Sequence, residues 1–197
     1  MAEIILEQVN KRFEEKQVLD SFSFSVSQTG IYALSGASGC GKTTLLRLIA
    51  GLEHPDSGKI QIQGSLTYLF QENRLLPWFS VKENLLAVRP EMTPSQLEEL
   101  LELVELQREE DSLPSTLSGG MQRRVALIRA LAHDGEILLL DEPFQGLDVD
   151  SRERIASRLL PLLQKKLCLL ITHDPWEAEH LADHRILLSG PPLSIIN

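Results

Sequence analysis

Along this chain the spacing of hydrophobic residues changes several times, and each change predicts an element. In the opening IILEQVNKRF, apolar and polar positions alternate, and in QVLDSFSFSV the residues Phe22, Phe24 and Val26 alternate with serines. Successive side chains of a strand face opposite sides, so both stretches predict half-buried strands of an antiparallel layer. IYALSG is a short apolar run that ends in a glycine-rich loop, and LRLIAGL beyond it has helical spacing up to Gly51. KIQIQG and LTYLFQ predict two further short strands. From about residue 72 to 129 the texture is helical. Thr93-Pro94-Ser95-Gln96 there predicts a helix start, with an N-cap, a proline in the first turn and a glutamine at the capping-box position. Strand EILLLD, a helix over about 150–164, strand LCLLIT, a helix from Pro175 and strand HRILLS then alternate. Strands that are apolar at nearly every position are covered on both faces, which predicts a parallel sheet between helices.

The loop after IYALSG is GASGCGKTT: Gly36, Ala37, Ser38, Gly39, Cys40, Gly41, Lys42, Thr43 and Thr44. It fits the G-x-x-x-x-G-K-[ST] phosphate loop, and it stands between a predicted strand and a predicted helix as that motif requires. Glycines let the turn aim consecutive N–H groups at phosphate oxygens, and the helix N-terminus adds its dipole. Lys42 is placed to reach the β- and γ-phosphates, and the Thr43 hydroxyl suits Mg²⁺. The expected fold is therefore α/β: a P-loop NTPase core with a mostly parallel sheet, an N-terminal antiparallel β layer and an inserted helical subdomain. One domain over 1–197 is expected, with 1–71 and 130–197 as the nucleotide-binding core and 72–129 as the helical part.

EILLLDE ends an apolar strand in two carboxylates. Asp141 at a strand's carboxyl end is where such folds bind ligands, and it offers a hard oxygen donor to a metal. Glu142 beside it suits a general base that orients and deprotonates water. LSGGMQ precedes the helical run RRVALIRALA, so Ser118, Gly119 and Gly120 form a second glycine-rich helix start, either a plain serine cap or a second anion site.

Taken together, these residues resemble the ABC ATPases, in the family's order and over essentially the whole chain. LSGGMQ looks like that family's signature motif, through Ser118, Gly119, Gly120 and Gln122, and EILLLDE looks like its Walker B with the catalytic glutamate. The resemblance implies roles for four further residues. Gln71 would sense Mg²⁺ and the attacking water, Asp148 would be the D-loop aspartate, His173 would contact the γ-phosphate, and Phe13 would stack on adenine. It implies ATP and Mg²⁺, with Thr43, Gln71 and Asp141 around the metal and Glu142, His173, Gln71 and Lys42 at the chemistry. Because the chain carries one phosphate loop and one signature loop, the resemblance implies a dimer, with itself or with a homologous ATPase. Phe144-Gln145-Gly146 departs from the small residues that relatives often carry at the second of these positions. The chain also stops soon after its last predicted strand, so the extra regulatory domain of some relatives is not expected.

Composition narrows the partners. A net charge of -9 in 197 residues argues against a nucleic-acid binder, because phosphate contacts need clustered Lys and Arg. No apolar run reaches the roughly 20 residues of a membrane span, and residues 1–10 lack the apolar core of a signal peptide. Cys40 and Cys168 lie far apart and read as reduced thiols. QENRLLPWFSVKENL places Trp78 and Phe79 beside Pro77, which reads either as a small apolar cluster covering the sheet or as a groove for a short helix of a membrane subunit; this stretch is similar to the nitrate-, sulfonate- and taurine-type importer ATPases. That similarity implies a peripheral subunit at the cytoplasmic face of the inner membrane, powering uptake of a small anionic or nitrogen- or sulfur-containing solute. Its partners would be two integral-membrane permease subunits and, indirectly, an extracytoplasmic substrate-binding protein. The alternative is a soluble, non-transport ABC ATPase, although no coiled coil, zinc ligand set or basic surface supports it.

Overall fold

The computed structural model describes residues 2–196. Strands β1 (Glu3–Phe13), β2 (Lys16–Val26) and β4 (Ser57–Gln63) form an antiparallel sheet in the order β2-β1-β4. A second sheet runs β5-β6-β7-β3-β8-β9. In it, β3 (Gly30–Gly36), β5 (Leu66–Leu69), β6 (Ile137–Asp141), β7 (Leu167–Ile171) and β8 (His184–Ser189) are parallel, and β9 (Ser194–Ile196) closes one edge antiparallel to β8. The edge strand β9 is not foreseen by the hydrophobic spacing. Its three residues are all exposed, so no buried face imposes a pattern.

Every residue of β6 and β7 is buried, and alternate residues serve two different cores. Ile137, Leu139, Leu167 and Leu169 pack with α1 (Lys42–Ile49) and the antiparallel sheet. Leu138, Leu140, Cys168 and Leu170 pack with α4 (Gly119–Ala132) and α5 (Val149–Leu163). The period-two side-chain direction of a strand thus divides one apolar run between both faces of the sheet.

Between β5 and β6 lie α2 (Val81–Leu86), α3 (Pro94–Leu103), a 3₁₀ turn at Pro114–Thr116 and α4. Ser80 and Thr93 each close a capping box, with Glu83 and Gln96 respectively. Ser118, Asp148 and Asp174 cap α4, α5 and α6 (Pro175–His180) by accepting from backbone N–H groups of the first turn. The capping serines and aspartates put each helix start at a defined point just beyond a strand or turn. Since β3, β5, β6 and β7 are parallel, the segments leaving them all emerge on one edge of the sheet, where the site lies.

Candidate nucleotide site

A cavity of about 330 Å³ opens over the carboxyl ends of those strands. Ser38, Gly39 and Gly41 line it from the loop after β3, Lys42, Thr43 and Thr44 from the start of α1, Gln71 from beyond β5, Asp141 from the end of β6 with Glu142 just after it, and His173 from beyond β7. Phe13, ending β1, and Lys16, beginning β2, also line it. Residues distant in sequence meet here because the parallel topology returns every strand in the same direction.

The glycines of the loop have local reasons. Gly36 has φ 156°, and a Cβ there would collide with the Leu188 carbonyl on the neighbouring strand. Gly41 has φ 119° and caps α1, and a Cβ would press on Val18. The Lys42 side chain is nearly buried, and its Nζ donates to the carbonyls of Gly36 (2.8 Å) and Ala37 (2.9 Å). The ammonium therefore sits inside the loop, at the centre of the cradle. Ala37 and Cys40 do not face the cavity: Cys40 is buried, with its Sγ 3.8 Å from Lys42 Nζ.

Thr43 Oγ1 donates to Asp141 Oδ2 at 3.0 Å, and Tyr68 Oη lies 3.5 Å from the same oxygen. Asp141 is buried, which raises its pKa, while the Thr43 hydrogen bond and the nearby Arg123 charge oppose that rise. A hydroxyl and a carboxylate side by side are hard oxygen donors of the kind Mg²⁺ takes from a protein while keeping water and phosphate ligands. The donor set fits that ion. Glu142 also has a raised pKa, through burial first, with the adjacent imidazole of His173 opposing it. Glu142 Oε1 lies 3.1 Å from His173 Nε2, so these two predicted residues form one unit. Glu142 adopts φ 55°, in the left-handed region that side chains rarely occupy; such strain gathers at functional sites.

Phe13 is partly exposed, and the Lys11 ammonium lies 4.8 Å from its ring centre. The remaining predicted residues lie elsewhere. Ser118, Gly119 and Gly120 start α4 and do not line the cavity, and Asp148 starts α5. The Gln122 amide is engaged in its own subdomain, donating to the carbonyls of Pro114 (3.0 Å) and Leu117 (3.2 Å).

Two residues at the site escape the sequence reading. Tyr68 reads only as a strand residue, because its reach to Asp141 depends on β5 pairing with β6. Arg123 is buried beneath the site and donates to backbone carbonyls of both the Gln71 and the Glu142 segments. A signal for it exists: Arg123 stands three and four residues before the buried Ala126 and Leu127, so helical spacing places an arginine on the buried face.

Comparison with known proteins agrees with this geometry. The ABC transporter family matches residues 19–145. The aliphatic sulfonates import ATP-binding protein SsuB of Zymomonas mobilis is 44% identical, over 94% of this chain and 81% of the relative. The SsuB protein of Bacillus subtilis is 39% identical, over 89% of this chain and 74% of the relative. A probable sulfate/thiosulfate import ATP-binding protein, CysA, of Chlorella vulgaris is 38% identical, over 95% of this chain and 87% of the relative. With the phosphate loop, paired carboxylates and histidine gathered around one cavity, the chain belongs to the ABC transporter family and is an ATPase that uses ATP with Mg²⁺.

Proposed function

We propose that this chain is the ATP-hydrolysing subunit of a membrane importer for a small sulfur-containing oxyanion, and that it works as a dimer. The observation that carries the dimer is a separation. Phosphate loop, paired carboxylates and His173 share one cavity, whereas the Ser118-Gly119-Gly120 helix start stands outside it. That second anion site meets a triphosphate only when it comes from a facing protomer, identical or homologous.

In the proposed cycle, N–H groups of residues 36–44 and the N-terminus of α1 hold the phosphates. Lys42 exchanges its carbonyl contacts for phosphate oxygens, and Phe13 receives the adenine. Thr43, Asp141 and Gln71 hold Mg²⁺, which supplies charge neutralisation on the phosphate oxygens. Glu142 accepts a proton from water as the water oxygen bonds to the γ-phosphorus and the bond to the β–γ bridging oxygen breaks. The products are ADP, phosphate and a proton on Glu142. His173 keeps the Glu142 carboxylate aimed at the cavity. Ser118, Gly119 and Asp148 of the facing protomer complete the enclosure. A γ-phosphate adds charge-assisted hydrogen bonds of about 1.5–3 kcal/mol each that ADP lacks, so ATP closes the dimer and hydrolysis releases it.

Two observations support coupling to a membrane protein. Trp78 is 85% exposed and Phe79 and Leu76 are also exposed, a cluster of apolar surface just after Gln71. A groove of about 260 Å³ is lined by Phe70, Asn73, Val88 and Arg129, on the segment that follows β5 and on α4 among others. Among the described residues no helix is long and apolar enough to cross a membrane. The solute class rests on the relatives, which are named for import of aliphatic sulfonates and of sulfate or thiosulfate.

The dimer is tested with Ser118→Arg. Binding of ATP to one protomer persists, and the ATP-dependent dimer seen by analytical ultracentrifugation with Glu142→Gln disappears when both changes are combined. A dimer that survives Ser118→Arg removes the composite site.

A further inference from the structure

Arg123 is hydrogen-bonded to the backbone, not the side chains, of residues that act on ATP in the cycle above, and the site is assembled around it. The guanidinium belongs to α4, less than two turns from Ser118, and is 2% exposed. Its Nε donates to the carbonyls of Glu142 and Pro143, both at 3.2 Å. Nη2 donates to the carbonyls of Asp141 (2.5 Å) and Glu142 (2.8 Å). Nη1 donates to the carbonyls of Phe70 (2.6 Å) and Gln71 (3.0 Å) and reaches Asn73 Oδ1 at 3.4 Å. One planar group therefore spans the end of β6 and the segment leaving β5, with every nitrogen engaged.

The consequence is sharpest at Glu142. Its left-handed backbone persists only where surrounding structure holds it. Both backbone polar groups of Glu142 are held: its N–H donates to the Ile171 carbonyl at 2.9 Å, and its C=O accepts from Arg123. This backbone turn directs the carboxylate into the cavity and brings it beside His173. Lysine has a single nitrogen with three donors and cannot span carbonyls on two segments in the same way.

We propose that Arg123 is a positioning residue for hydrolysis, holding the left-handed backbone of Glu142 and the backbone at Gln71 in register with the helix that Ser118 begins. A movement of that helix is then carried to both groups together. The inference rests on the proposed roles of Glu142 and Gln71.

The test compares Arg123→Met, which keeps length without donors, with Arg123→Lys, which keeps charge and some donors. For each, kcat, KM and the directly measured ATP Kd of the purified chain are determined, with Glu142→Gln alongside. Arg123→Met lowers kcat by about 30-fold or more, as loss of a supporting contact does at other sites, while KM and ATP Kd move less than about threefold. Arg123→Lys gives a kcat between Arg123→Met and wild type. Wild-type kcat in Arg123→Met overturns the inference, as do equal losses of kcat and ATP affinity, or a lysine variant no better than methionine. Should Arg123→Met not fold, Arg123→Lys decides alone: unchanged kcat overturns the inference, and lowered kcat with unchanged ATP Kd supports it. Wild-type hydrolysis by Glu142→Gln sinks the assignment of the base instead, whatever Arg123 does. An inactive Glu142→Gln beside an unimpaired Arg123→Met fails this inference alone.

Discussion

Two parts of the molecule carry residues of similar chemistry in opposite states of completion. At the carboxyl ends of the parallel strands, Lys42 and Asp141 are buried and have partners within the chain, and one cavity gathers the loop, carboxylates and histidine. On the helical side, the Ser118 hydroxyl accepts from the Met121 N–H as a helix cap, and Trp78 and Phe79 are exposed. The first region is finished by folding. The second, in the cycle proposed above, offers an anion site and an apolar surface for other proteins to complete, and between the two lies the buried side chain of Arg123. The proposed function needs this division: the chemistry is preorganised in one chain, while the parts proposed to meet a partner stay open.

Mutations should separate the two regions. The largest effect belongs to the finished one: Glu142→Gln lowers steady-state hydrolysis by about 10²–10³-fold while ATP binding is retained, measured by phosphate release and equilibrium binding. An unchanged rate removes Glu142 as the base. Lys42→Ala acts next, weakening ATP binding by about tenfold or more through loss of charge-assisted contacts. Isothermal titration calorimetry checks this, and unchanged affinity takes Lys42 out of the phosphate site.

The open region gives a smaller and differently shaped response. Trp78→Ala leaves hydrolysis by the isolated chain within about twofold, as for a surface change remote from the chemistry, and lowers solute uptake by the assembled transporter severalfold. Equal loss of both activities makes Trp78 a structural residue.

The smallest effect is on stability. Glu177 in α6 is buried, and burial raises its pKa from 4.5 to about 7. The folded state then binds this proton more tightly than the unfolded chain. Its contribution is fully present below pH 4.5 and is lost as pH rises through about 7. Glu177→Gln, neutral at every pH, melts close to wild type at pH 5 and a few degrees above it at pH 8. A difference between the two proteins that does not vary with pH contradicts the assignment.

Much of this arrangement is legible in the residues. The all-apolar runs ILLL and LCLLI dictate strands covered on both sides, and the capping signals at Thr93 and Asp174 stand where helices begin. GASGCGKTT and EILLLDE carry their chemistry in their own spacing, because a phosphate cradle and a strand-end carboxylate are local constructions. Trp78 illustrates the reverse: beside Pro77 and Phe79 the residues read equally well as a cover for the sheet, and only its exposure of 85% separates the two readings.

What the sequence determined by itself, then, are features set within a few residues: strand period, helix caps, a glycine loop with its lysine, and an aspartate and glutamate closing a strand. Tertiary structure alone decided that Tyr68 reaches Asp141, that His173 meets Glu142, and that one guanidinium of α4 gathers carbonyls from two distant segments. These contacts depend on strand order and on the depth at which α4 packs against the sheet. Both follow from long-range burial of apolar surface, which is non-directional, so local patterns tell which residues are buried but not which distant ones they meet.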